Sequence, residues 1–160
     1  MIMAAAQEYA LARRIALGVP VTLLSGAYLS QYGFGLYPCE MCWWQRYALF
    51  AALPFALAAW LRPGPRLLTT IALLAILTGG LIGGYHAGVE YGWWQGMTAC
   101  TTVAGANGGN ALDAILNAPV VRCDVAPWDL FGISLAGWNF LISVPLALIG
   151  LVSLRKDVIS

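Results

Sequence analysis

Two cysteines three residues apart, Cys39 and Cys42, open a long apolar segment in the run Pro38-Cys39-Glu40-Met41-Cys42-Trp43-Trp44-Gln45-Arg46. At a helix start this spacing brings two sulfurs close enough to bridge, and the helix N-terminus favours a thiolate. The pair is built for reversible disulfide chemistry. Arg46 follows Cys42 by four residues and shares its helix face. A guanidinium there favours the thiolate and offers hydrogen bonds to a polar atom at a membrane edge. Equally, it can snorkel to the headgroups, and spacing alone leaves both readings open. Two further cysteines, Cys100 and Cys123, lie in the only long polar stretch. Four cysteines so distributed point to electron transfer between thiols and a molecule that lives in lipid.

Other chemistries fit less well. A c-type haem site needs histidine directly after the second cysteine, where Trp43 stands. A four-cysteine zinc site usually repeats the short spacing, yet Cys100 and Cys123 are 23 positions apart, so no metal is expected. Structural disulfides are the serious alternative, and four cysteines allow three pairings. A permanent Cys39–Cys42 bridge would close too small a loop to brace much; Cys100–Cys123, judged alone, could be structural. His86, late in the third apolar run, could assist proton transfer or meet a polar ligand edge. A lone histidine near a helix end is more often simply interfacial, and Glu90 one turn later could pair with it. Glu40 reads as a solvated residue.

The elements that hold these groups must lie in a membrane. Of 160 residues, 61% are hydrophobic and 9% charged, with mean hydropathy +0.76, against about 45–50% apolar and about 25% charged in soluble domains. A net charge of +1 without a basic run gives no reason to expect a nucleic-acid partner. Apolar runs at about 15–32, 43–61, 67–89 and 135–154 each approach the length that crosses ~30 Å of hydrocarbon. The expected fold is all-α, one transmembrane domain over 1–160 forming a four-helix bundle. Gly79, Gly80, Gly83 and Gly84 suit close helix packing, and Pro20, Pro54 and Pro145 are tolerable inside membrane helices. Arg13-Arg14 before an apolar run, with Ser25-Gly26-Ala27 after it, invites a signal-peptide reading; an uncleaved first span is simpler.

Arg13, Arg14, Arg62, Arg66, Arg155 and Lys156 fall on one side of such a bundle, leaving Arg46 and Arg122 for the other. By the positive-inside rule both termini are cytoplasmic. The loops at about 33–42 and 90–133, with all four cysteines, then face the periplasm of a Gram-negative cell, where disulfides persist. In the second loop Asn110 can cap a short helix through Ala111, Leu112, Ile115 and Leu116, ended by Pro119 and lying flat on the membrane. Trp93, Trp94, Trp128 and Phe131 read as packing or interfacial anchors.

The Cys39–Arg46 run at the head of the second span resembles the signature of the disulfide bond formation protein B (DsbB) family. So do the four spans, the short first outer loop, the long second one with two cysteines, and Trp128-Asp129-Leu130-Phe131-Gly132 before the last span. The resemblance covers nearly the whole chain. It implies an inner-membrane oxidase that regenerates a periplasmic thioredoxin-like dithiol oxidase (DsbA type) and reduces a quinone, ubiquinone or menaquinone. By the same resemblance Cys100 would be attacked by the reduced partner. Cys123 would be its disulfide mate and would bridge transiently to Cys39. Cys42 would be the thiolate facing the quinone ring, and Arg46 would hold a ring carbonyl. His86 lies near the place where some members carry a histidine by the quinone. The glycine- and asparagine-rich stretch at 105–110 offers play for Cys123 to move. A vitamin K epoxide reductase-like enzyme would carry its Cys-x-x-Cys on the last helix of the bundle, and here it opens span two. A non-catalytic membrane scaffold with structural disulfides would survive Cys39→Ser and bind no quinone.

Overall fold

The computed structural model describes residues 2–62, 66–96, 101–103 and 120–159. Four helices carry it: α1 (Ile2–Phe34), α2 (Glu40–Leu61), α3 (Arg66–Glu90) and α4 (Leu135–Ile159). Each apolar run lies inside one of them. Helix α1 reaches back well past Arg13-Arg14, because its first turns are rich in alanine and other good helix formers. Among the described residues three helices are long and apolar enough to cross a membrane: Ala6–Phe34 within α1, all of α3, and Leu135–Arg155 within α4. Helix α2, interrupted by Gln45 and Arg46, falls outside that set, yet its 22 residues reach about 33 Å.

The contacts make α2 run the depth of its neighbours. At its start Arg46 meets Ala27 and Gln31 near the end of α1. At its end the Trp60 carbonyl accepts from Arg13, near the start of α1. Helix α3 runs back along α2, and α4 along α3, giving an up-down-up-down bundle. The core is a seam of small residues, Ala12, Ala16, Ala52, Ala56, Ala72 and Ala147, closed by Leu49, Leu73 and Ile76. Small side chains let backbones approach where lipid removes the hydrophobic drive between helices. Gly80 shows how close: a Cβ there would stand 2.8 Å from the Ser143 Cβ on α4.

Two small ladders were not expected. Strand β1 (Thr101–Val103) pairs antiparallel with β2 (Val120–Arg122), Thr101 opposite Arg122. Strand β3 (Asp129–Leu130) pairs with β4 (Ile133–Ser134). Phe131 and Gly132 join the second pair with φ of 56° and 75°; two positive φ values match the right-handed twist of a tight hairpin. Ser134 then caps α4, its hydroxyl accepting from Gly137 N at 3.1 Å, a contact of about 1 kcal/mol. The Tyr91 hydroxyl donates to Gly132 O and accepts from Ser134 N, pinning the start of α4 over the end of α3. The flat helix expected after Asn110, and the 105–110 stretch, lie outside the described residues.

Candidate active site

Cys39 is the N-cap of α2, its sulfur accepting from Cys42 N at 3.3 Å. This geometry follows from the Cys-x-x-Cys spacing, because a capping side chain bonds to the N–H two or three residues on. The two sulfurs stand 2.9 Å apart with Cys39 donating to Cys42, well beyond the ~2.05 Å of a disulfide. Both are free cysteines in this structure. The Cys39 thiol is pushed up to about 12, first by that hydrogen bond and then by burial, with His86 acting in the opposite direction. When one negative charge sits on the pair, Cys42 carries it and Cys39 keeps the proton.

Behind Cys39 the site is closed. Cys39 and Cys123 are each 3% exposed and pack in one cluster with Met41 and Val89. The ligand atoms of Cys39, His86 and Cys123 lie within 4.8 Å of one another. Disulfide exchange between Cys123 and Cys39 thus needs only a short approach. The same trio has the makeup of a soft-metal site, two sulfurs and an imidazole. Cys100 lies outside the described residues, although its chain neighbour Thr101 pairs with Arg122, the neighbour of Cys123.

In front of Cys42 the site is open. A cavity of about 370 Å³ is lined by Cys42, Gln45 and Arg46 of α2, by α1 from Thr22 to Ser30, by Asn139 and Trp138 of α4, and by Trp128. Its size falls in the ~300–1,000 Å³ range of small-molecule sites. Apolar walls with a few convergent polar groups suit a flat, lipophilic ring bearing carbonyls. Neither Cys39 nor His86 is among the lining residues.

Arg46 is 6% exposed and is held by groups of the bundle. It donates to Gln31 Oε1 at 2.5 Å and to Ala27 O at 3.1 Å, and its guanidinium lies 5.0 Å from the Tyr28 ring and 5.1 Å from that of Trp43. Those contacts fix the group at the cavity wall and use only part of its five N–H donors.

His86, 1% exposed, turns toward the dithiol: its Nε2 is 3.5 Å from Cys39 Sγ and 3.7 Å from Glu90 Oε1. Its Nδ1 is 2.9 Å from Gln45 Nε2. Gln45 Nε2 also donates to Met41 O at 3.3 Å, and Gln45 Oε1 accepts from Asn139 Nδ2 at 2.7 Å. Asn139 Nδ2 further meets Gly79 O at 3.2 Å, while its oxygen accepts from Ser143 Oγ at 2.8 Å. Gly83 makes room for this chain, since a Cβ there would stand 3.0 Å from Asn139 Nδ2 and 3.1 Å from Gln45 Oε1. Sequence reasoning gave Gln45 and Asn139 no role. Their signal was present as amides inside apolar runs, where a polar group needs a partner on another helix.

These features define a class: a helical membrane bundle with a dithiol placed between a buried third cysteine and a lipophilic cavity. A family model described as "Disulfide bond formation protein DsbB" matches residues 10–153. An uncharacterized protein of Rickettsia prowazekii is 24% identical over 151 residues, covering 91% of this chain and 88% of that relative. Disulfide bond formation protein B of Paracidovorax citrulli is 29% identical over 155 residues, covering 85% and 86% of the two chains. Its namesake from a Polaromonas species is 30% identical over 156 residues, covering 89% and 88%. No solved structure matches. The chain belongs to the DsbB family of membrane proteins of disulfide bond formation.

Proposed function

We propose that the protein reoxidises a thioredoxin-like dithiol oxidase of the DsbA type outside the inner membrane and passes the electrons to a membrane quinone, ubiquinone or menaquinone. The observation that carries this reading is the order of the sulfurs: Cys123 beside Cys39, Cys39 bonded to Cys42, and Cys42 alone at the cavity wall. A bound quinone supplies a two-electron, two-proton acceptor that is soluble in lipid. Arg46 orients a ring oxygen through its remaining N–H groups, and Trp128 and Trp138 help wall the ring off from water. Cys42 presents a thiolate stabilised by the helix start and by the Cys39 thiol. Cys123 carries reducing equivalents inward by bonding to Cys39, so that the Cys39–Cys42 bond breaks and its electron pair stays on Cys42. Cys100 receives the partner's attack, as the family resemblance implies.

The test is anaerobic quinone reduction by the purified protein with a reduced thioredoxin-like dithiol as donor. Cys42→Ser and Cys100→Ser should abolish turnover. Arg46→Ala should raise the quinone KM about tenfold or more, the weight of a charged hydrogen bond. A folded wild type that turns over neither quinone would overturn the reading.

A further inference from the structure

Two backbone carbonyls, which can only accept, set the direction of the buried amide chain between α4 and the dithiol. Gln45 Nε2 faces Met41 O, and Asn139 Nδ2 faces Gly79 O. Turning the Gln45 amide over would set oxygen against the Met41 carbonyl and nitrogen against the Asn139 nitrogen. Turning Asn139 as well only moves the conflict to Gly79. Each buried mismatch costs roughly 1–3 kcal/mol, so the network assigns both amides. Gln45 then gives an N–H to His86 Nδ1, which must be bare. The one ring proton of a neutral imidazole is left on Nε2, the nitrogen that faces Cys39 Sγ and Glu90 Oε1.

We propose that Asn139 and Gln45 are positioning residues that lock His86 as the Nε2–H tautomer, a hydrogen-bond donor aimed at the sulfur of Cys39. The role of this lock rests on the relay described above. When an incoming thiolate bonds to Cys123, the Cys39–Cys123 bond breaks and the electron pair remains on Cys39. That charge forms in a pocket closed to water, and the His86 N–H is the donor that meets it. No proton is transferred in the step. Cys39 is then a nucleophile ready to re-form its bond with Cys42, the two electrons of that oxidation passing to the quinone. A proton on Nε2 also occupies the lone pair that a metal held by Cys39 and Cys123 would need.

The chain has a single histidine, so the tautomer can be read without assignment. The full-length protein, labelled with nitrogen-15 histidine and purified without a histidine tag, is examined by NMR at about pH 8, above the ordinary ~6.5 of imidazole. Protonated Nε2 and bare Nδ1 are expected. Gln45→Glu should move the proton to Nδ1, because a carboxylate there accepts. Gln45→Met, which keeps the volume and removes the donor, should give both tautomers. Protonated Nδ1 in the wild type, or an unchanged single tautomer in Gln45→Met, would overturn the lock. A second readout follows Cys39 as the sole cysteine by thiolate absorbance against pH. In the wild type the ionisable groups around that sulfur are Cys42 of α2, His86 and Glu90 of α3, Cys123, and Tyr85, which packs on the cluster; in this background His86, Glu90 and Tyr85 remain. Gln45→Met in this background should lower the thiolate fraction about tenfold at fixed pH, one unit in the titration; no change would overturn the donor role. Neither measurement needs quinone or partner, so a failure here is distinct from a failure of quinone reduction.

Discussion

Cys39 and Cys42 are the same side chain in unlike settings. Cys39 donates to its neighbour, is buried among Met41, Val89 and Cys123, and holds its proton; Cys42 accepts and borders a cavity. The difference has a titration signature. The largest cause that pushes Cys39 up to about 12 is its bond to Cys42. A group raised in this way holds its proton until the pH passes that value, so in the resting pair, before any exchange step, Cys39 stays a thiol across the working range. Cys42→Ala removes that cause, and Cys39 should ionise at lower pH, back toward the ordinary ~8.5. Thiolate absorbance in a background without Cys100 and Cys123 measures it, and a titration still near 12 would show that burial alone sets the value. The Cys-x-x-Cys and the arginine four residues on stood out in the sequence because their spacing is short. Gln45 and Asn139 did not, because they meet across 94 positions and nothing local marks such a pair.

At the scale of elements, helices were readable and their fine contacts were not. Each helix follows from an apolar run ended by glycine, proline or charge. The ladders escaped notice because strands of two or three residues fall below the length at which alternation shows. Glycines in α3 were readable as packing residues, yet the sequence could not say that Gly83 spares a hydrogen bond rather than a helix crossing. Gly83→Ala separates the two ideas. A methyl group 3.0 Å from Asn139 Nδ2 and 2.9 Å from Ala136 O should destabilise the bundle by about 1–3 kcal/mol, the usual cost of overpacking. It should also release the His86 tautomer. Thermal unfolding reads the first effect and nitrogen-15 NMR the second; a variant as stable as the wild type with one tautomer would count against the packing described here.

For the whole molecule, the basic residues Arg13, Arg14, Arg62, Arg66 and Arg155 gather at the end of the bundle opposite Cys39, Cys42 and Cys123. On the positive-inside rule the dithiol is expected outside. In a cysteine-free background, Val125→Cys should react with an impermeant maleimide on intact cells, and Leu61→Cys only after lysis; both positions are exposed. The reverse pattern would invert the topology. One consequence of the single sulfur at the cavity wall concerns what the protein does not do. Cys39 and Cys123 are buried away from small thiols in the aqueous phase, and among the described cysteines only Cys42 borders the cavity. If the proposed relay holds, the bundle is an insulated conductor whose buried sulfurs are reached only by way of a docked partner. On the proposed function it would draw current from a docked protein and leak little to the surrounding pool of free thiols, reserving the membrane's oxidising power for proteins that dock.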